Sequence, residues 1–226
     1  MNELTEIANK IGTDKGTNWD ESHSFTEFYY DYFKHLKERG EKINILEIGI
    51  YTGASLMMYN EFFGGNCEIY GIDIDLSKIE YFQETNIPQN FHIYKLDANN
   101  RGQVEWFLQD IGDIKFDFIL DDASHMFEHQ YHTFLYLYKH LKSDGKYILE
   151  DLHTWSWGDQ NESTLKTLTF WDKPNMLSDE EFNEIRNAIK YVNVFIHNNP
   201  RAAFGNNTSV TSIITLKNFY HQFPEI

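Results

Sequence analysis

Cysteine is almost absent. Cys67 is the one thiol among 226 residues, which excludes an internal disulfide and leaves no second thiol for a Cys-type zinc site. It lies in the apolar run Cys67-Glu68-Ile69-Tyr70-Gly71-Ile72 and reads as core packing. Proline is scarce, at four residues, and no Pro/Gly/Ser-rich linker interrupts residues 1–226, so the chain reads as one domain with a continuous core. Positive charge is in short supply too: nineteen Lys and Arg against thirty-five Asp and Glu give a formal net charge of −16. Without a basic stripe to neutralise phosphates, neither nucleic acid nor an anionic membrane is an expected partner. Long apolar runs are missing, and the start, Met1-Asn2-Glu3-Leu4-Thr5-Glu6, is polar and acidic with no signal-peptide core. These absences lead to the expectation of a soluble, cytoplasmic protein that acts on a small or neutral molecule.

What is present starts with a hydrophobic fraction of 41% and an aromatic fraction of 16%. The chain is organised around Ile43-Asn44-Ile45-Leu46-Glu47-Ile48-Gly49-Ile50-Tyr51-Thr52-Gly53-Ala54-Ser55. Its apolar first half predicts a strand buried on both faces, and beyond Gly49 the period turns helical through Leu56, Met57 and Tyr59. Gly49 and Gly53 allow positive φ or close approach of a ligand, and the helix start offers unpaired N–H groups. That is the geometry of a nucleotide pocket. The spacing E-x-G-x-x-x-G is neither the G-x-G-x-x-G of dinucleotide enzymes nor a phosphate-cradling P-loop. A buried strand with a glycine turn and no ligand is the competing reading.

Along the chain, residues 1–42 read as a helical cap in two pieces, 4–11 and 25–38, separated by the polar turn Gly12-Thr13-Asp14-Lys15-Gly16-Thr17. Composition alone favours a solvated loop there. A second strand over 68–72 closes with Asp73-Ile74-Asp75, where a carboxylate about 20 residues past the glycine turn can accept both ribose hydroxyls. Asp73 is the first candidate; Asp75 could equally cap a helix starting near Ser77. A third strand over 91–96 ends at Asp97. The fourth, 116–120, ends in Asp121-Asp122-Ala123-Ser124-His125, and the fifth, 146–149, in Glu150-Asp151-Leu152-His153. Ligand sites of open α/β sheets lie outside such carboxyl ends. Between these two strands a helix over 126–141 ending at Gly145 is expected, with His129 and His132 on its solvated side. Residues 154–177 carry Trp155, Trp157, Phe170 and Trp171 without a period and read as a lid or as an aromatic flap over the sheet edge. Ser178-Asp179-Glu180-Glu181 has capping-box spacing, and 191–196 with 209–216 read as a terminal antiparallel pair.

This succession is similar to the class I S-adenosylmethionine (SAM) methyltransferases: a Rossmann-like α/β architecture of seven strands, mostly parallel with an antiparallel last one, with helices on both faces. Within them, Gly12-Thr13-Asp14-Lys15-Gly16, Leu46-Glu47-Ile48-Gly49, Gly71-Ile72-Asp73-Ile74-Asp75, Asp121-Asp122-Ala123-Ser124-His125 and Leu149-Glu150-Asp151 together resemble the metal-dependent sugar O-methyltransferases of the mycinamicin-pathway type. The resemblance implies SAM against Glu47, Gly49, Gly53 and Ser55, with Asp73 and Asp75 at the ribose and Asp97 near the adenine. It brings Thr13 and Lys15 to that site, gives a divalent metal, Mg²⁺ first, to Asp122, Glu150 and Asp151, and makes His125 the base. It also implies a small-molecule sugar or sugar-nucleotide acceptor, with homo-oligomerisation left open. Segment 154–177 matches nothing in that pattern. Methyl transfer needs a nucleophilic oxygen, and a hard cation beside an imidazole is a chemical way to deprotonate a sugar hydroxyl near neutrality. Metal-independent N- or O-methylation of a small polar metabolite, and a SAM-binding protein without catalysis, are the competing functions.

Overall fold

The alternation of apolar strands and amphipathic helices builds one mixed sheet in the computed structural model, which describes residues 1–18, 22–79, 87–152, 173, 177–198 and 208–217. Helices α1 (Glu3–Ile11) and α2 (Thr26–Glu38) come first, then β1 (Ile43–Ile48), α3 (Ala54–Phe62), β2 (Cys67–Asp73) and β3 (Phe91–Lys95). They are followed by α4 (Arg101–Ile111), β4 (Phe116–Asp121), α5 (Phe127–Leu137), β5 (Leu141–Leu149), α6 (Asp179–Ala188), β6 (Ile189–Asn198) and β7 (Thr208–Leu216). The seven strands run in the order β3-β2-β1-β4-β5-β7-β6. Pairing is parallel from β3 through β5, and β7 is antiparallel to both of its neighbours. This is the expected class I methyltransferase sheet. Strand order reverses between β1 and β4, which opens a crevice beyond their carboxyl ends.

β1 and β4 are apolar because both faces of the sheet are covered. On one face Tyr29 and Phe33 of α2 and Tyr59 of α3 pack with Phe118, the rings of Phe33 and Phe118 stacking 4.4 Å apart. On the other face Phe107 of α4 and Phe134 of α5 pack with Leu46 and Tyr147. Residues 1–42 thus belong to a helical layer of the sheet. The side chain of Asn2 accepts from Thr5 N at 2.8 Å to start α1, and Gly12 ends it in the left-handed region, as helix termini require.

The structure departs from the sequence expectations at the α5–β5 boundary. α5 stops at Leu137, a 3₁₀ turn covers Tyr138–His140, and β5 begins at Leu141, five residues before the expected start at residue 146. Leu141 looks like the last member of the helical stripe, yet it pairs as a strand residue with Phe116, after which the register jumps to Phe118 opposite Lys146. Gly145 therefore lies in an irregular strand segment and does not cap the helix. After β2, Asp75 caps a 3₁₀ turn, Leu76–Lys78, and the rest of the helix expected from near Ser77 falls on residues 80–86, outside the described residues. The capping box at Ser178 and Glu181 forms as read. Segment 154–177 lies outside the described residues apart from Lys173 and Leu177, as do His153 and residues 199–207.

Candidate active site

Parallel hydrogen bonds continue past the strand ends. Gly49 N donates to Ile72 O at 2.8 Å, Asp122 N to Ile48 O at 2.8 Å and Glu150 N to Asp121 O at 3.0 Å. The glycine turn and the two acidic pairs therefore stand side by side along one sheet edge. Gly49 is required there: its φ is +83°, and a Cβ would lie 2.3 Å from Asp122 O and 2.5 Å from Ala123 Cα. Asp73 ties the turn to β2, since its Oδ2 accepts from Ile50 N at 2.9 Å and Tyr51 N at 3.0 Å. A cavity of about 410 Å³ runs along this edge, walled by Gly49, Asp73, Asp75, Asp97, Asp122 and His129 among others. A second, of about 380 Å³, is walled by Thr13, Lys15, His23, Ser55 and again Gly49 and Asp122.

Behind the wall common to both cavities lies a group of buried charges. Lys15 Nζ is 2.6 Å from Asp122 Oδ2, 2.6 Å from Glu150 Oε2 and 3.8 Å from Glu47 Oε1. Tyr29 donates to the other Glu150 oxygen at 2.5 Å, and Gln130 Nε2 donates to the Glu150 carbonyl at 2.6 Å. Burial lowers the ammonium pKa of Lys15, but the surrounding carboxylates outweigh it and hold it well above the usual lysine range. Burial and the neighbouring Asp122 charge push Glu150 upward. Glu47 is pushed up to about 7, chiefly by burial and against the pull of Lys15 and Ser55. Asp121 is raised to about 6, chiefly by burial against a hydrogen bond from Thr133. Asp122 is held low in spite of burial by Lys15 and His125.

His125 Nε2 lies 3.0 Å from Asp122 Oδ1 and 3.7 Å from Asp151 Oδ2. Burial pushes its pKa down, but the Asp122 hydrogen bond and the charges of Asp122, Asp151 and Asp121 prevail and raise it to about 9. Among the described residues, Asp122, His125 and Asp151 form a group whose ligand atoms lie within 4.8 Å of one another. Two carboxylates and an imidazole are donors that a hard divalent ion accepts, so the residues present fit such an ion.

The sequence-derived set sorts by position. Gly49, Asp73, Asp75, Asp97 and Asp122 line the first cavity, and Thr13, Lys15 and Ser55 the second. Glu47 is fully buried with its carboxylate on Ser55 Oγ at 2.6 Å, and Gly53 serves as the left-handed N-cap of α3; neither is among the cavity walls. Both side-chain oxygens of Asp75 accept from Ser77, the capping role left open by the sequence. Of the three carboxylates expected at a metal, Asp122 and Asp151 stand with His125, while Glu150 stands behind them against Lys15 and Tyr29. His129, expected on a solvated side, meets Ser124 Oγ at 2.8 Å and walls the first cavity. Tyr29 escapes sequence reasoning because it sits in an apolar stripe, where helical spacing reports packing and is silent about a buried hydroxyl. Gln130 and Thr133 are hidden likewise.

Comparison with known proteins agrees with this geometry. Residues 46–152 match the methyltransferase-domain family. Demethylmacrocin O-methyltransferase of Streptomyces fradiae is 33% identical over 163 residues, 69% of this chain and 38% of that protein. Mycinamicin VI 2''-O-methyltransferase of Micromonospora griseorubida is 29% identical over 163 residues, 69% of this chain and 37% of that protein. The matched stretch is thus less than two-fifths of the length of these relatives. A MycE methyltransferase from the mycinamycin biosynthetic pathway, solved in complex with Mg and S-adenosylhomocysteine (SAH), superposes with a TM-score of 0.69 at 22% identity, covering 100% of this chain and 58% of that one. The sheet order, the glycine turn at its switch point and the family match over 46–152 lead to one conclusion: the chain has the class I methyltransferase fold, and its residues 46–152 carry the methyltransferase-domain match.

Proposed function

We propose that this chain transfers the methyl group of SAM to a hydroxyl of a small-molecule sugar or nucleotide-linked sugar, such as a surface-polysaccharide precursor or a natural-product sugar. The transfer is assisted by a divalent ion, Mg²⁺ first, with His125 as base. The observation that carries this reading is the meeting of Asp122, His125 and Asp151 within 4.8 Å, with Asp122 in the wall common to two cavities. The relatives named as sugar O-methyltransferases and the MycE complex with Mg and SAH support it.

In this reading Gly49 lets the cofactor pass close to the backbone, and Asp73 accepts from the ribose hydroxyls with the lone pairs its backbone donors leave free. Asp122, Glu150 and Asp151 would hold the ion, with His125 beside them. A hard cation, when bound, lowers the pKa of a sugar hydroxyl and orients it. A bound ion would offset the charge of Asp122 and Asp151 that favours the imidazolium, so that His125 could accept the hydroxyl proton. Incubation with SAM and a panel of sugar nucleotides, read by mass spectrometry for a methyl-group gain, tests this. Chelator should abolish turnover and Mg²⁺ restore it, while SAH binding survives chelation.

A metal-independent methyltransferase is the second reading, and one observation favours it: the Lys15 ammonium already neutralises part of the carboxylate group. Full turnover in excess chelator, with negligible metal content, would select it.

A further inference from the structure

Five carboxylates, Glu47, Asp121, Asp122, Glu150 and Asp151, end three adjacent strands, and four of them are nearly or fully buried. Buried charges of one sign are stable only when a counter-charge reaches them. Lys15 supplies one from a turn more than a hundred residues before Asp122 and Glu150 in the chain. Its side chain is 2% exposed, and its Nζ stands 2.6 Å from one oxygen each of Asp122 and Glu150. The oxygens of Mg²⁺ and Ca²⁺ sites lie at roughly 2.0–2.6 Å from the metal, so an ion bridging these same two oxygens needs the place the ammonium holds. The two cannot share it.

We propose that Lys15 is the protein's own counter-cation for Asp122 and Glu150, and that a divalent ion bridging those carboxylates binds by displacing its ammonium. Lys15 is then a positioning residue that sets how tightly the ion is held. This rests on the metal-assisted reading of the same site. The turn that carries Lys15 is anchored by Lys15 O, which accepts from Thr26 N at 3.0 Å, and by Asp14 O, which accepts from His23 N at 2.7 Å. The backbone therefore stays in place while the side chain moves, and the ammonium's way out leads toward the second cavity, which Lys15 walls together with Asp14 and His23. Occupancy of the ion site is thereby linked to the shape of that cavity.

The test uses the full chain stripped with chelator, with Mn²⁺ as the probe ion read by electron paramagnetic resonance, and thermal melts with and without the ion. Lys15→Met removes the charge and keeps the stem. It should melt lower than wild type without ion, bind Mn²⁺ about ten-fold tighter or more, and gain more melting temperature from the ion than wild type does. Lys15→Arg, which keeps the charge, should bind the ion closer to wild type. A purely structural lysine would lower stability without raising ion affinity. Equal or weaker Mn²⁺ binding by Lys15→Met, or none by either chain, overturns the inference. Should Lys15→Met fail to fold, reductive dimethylation of wild type carries the test: Lys15 should be protected in chelator and modified in saturating Mg²⁺, and protection in both overturns it. SAH titration alongside separates the two failures, since SAH binding with unchanged Mn²⁺ affinity rejects the role of Lys15 alone, whereas loss of SAH binding rejects the methyltransferase reading.

Discussion

Tyr51, His125 and Asp151 hold φ of +45°, +55° and +53°, a left-handed conformation that costs a side-chain-bearing residue roughly 1–2 kcal/mol each. Such strain persists where surrounding structure over-determines it, and it gathers at functional sites. For His125 the strained backbone aims the imidazole at Asp122 and Asp151, which leads to two predictions. His125→Ala should keep SAH and metal affinity and lose about 10²–10⁴-fold in kcat, the usual contribution of a positioned base. Lost metal affinity with the rate recovered at high Mg²⁺ would instead make it a ligand or supporting residue. The second concerns pH in the ion-free protein. Because His125 is raised from 6.5 to about 9 in the folded chain, its protonation stabilises the fold fully below about pH 6.5, and that contribution is lost as pH rises through about 9, on the order of 3 kcal/mol in all. The melting-temperature gap between wild type and His125→Ala should therefore shrink from pH 6 to pH 9.5, and a gap constant with pH would contradict the account. At this scale the sequence is informative about position wherever a strand end names it, as for Asp73 and Asp122 at the carboxyl edge. It is silent where the partner lies far along the chain: nothing near Lys15 points to Glu150, and nothing near Tyr29 separates its buried hydroxyl from its packing ring.

β1 and β4 meet through one close backbone approach, and Gly49 makes it possible. Gly49→Ala would combine left-handed φ with a Cβ 2.3 Å from the Asp122 carbonyl oxygen, atoms that belong to backbone and cannot swing aside. A loss of about 3 kcal/mol or more is expected, a drop of roughly 6–12 °C for a chain of this size. Gly64 shares the left-handed conformation, with φ +62° and nothing within 4 Å of a Cβ, so Gly64→Ala should cost only the conformational share, roughly 1–2 kcal/mol. Equal melting temperatures for the two variants would remove the close approach from the account. Elements with long runs of one period are legible in the sequence: β1, β4 and α2 fall within a residue or two of expectation, and α6 starts at its expected capping box. The α5–β5 junction is not legible in the sequence because Leu141 satisfies both the helical stripe and the strand ladder, and only pairing with Phe116 across the sheet decides between them.

At the scale of the whole molecule, the excess of negative charge is partly structural. Acidic residues collect at the carboxyl edge of the sheet, where the residues that bring the counter-charge and the supporting hydroxyl, Lys15 and Tyr29, come from the amino-terminal segment that composition alone describes as a cap. Fold and site are therefore one unit: α1 and α2 pack on the β-sheet face and deliver those two groups beneath the glycine turn. Among the described residues no helix is long and apolar enough to cross a membrane. The central claim is that this edge binds SAM, and calorimetric titration with SAH tests it most directly. Wild type should bind SAH near one to one, and a folded Asp73→Ala should bind about ten-fold or more weakly, a loss of roughly 1.4 kcal/mol or greater. No SAH binding by wild type, or tighter binding of NAD than of SAH, would contradict it.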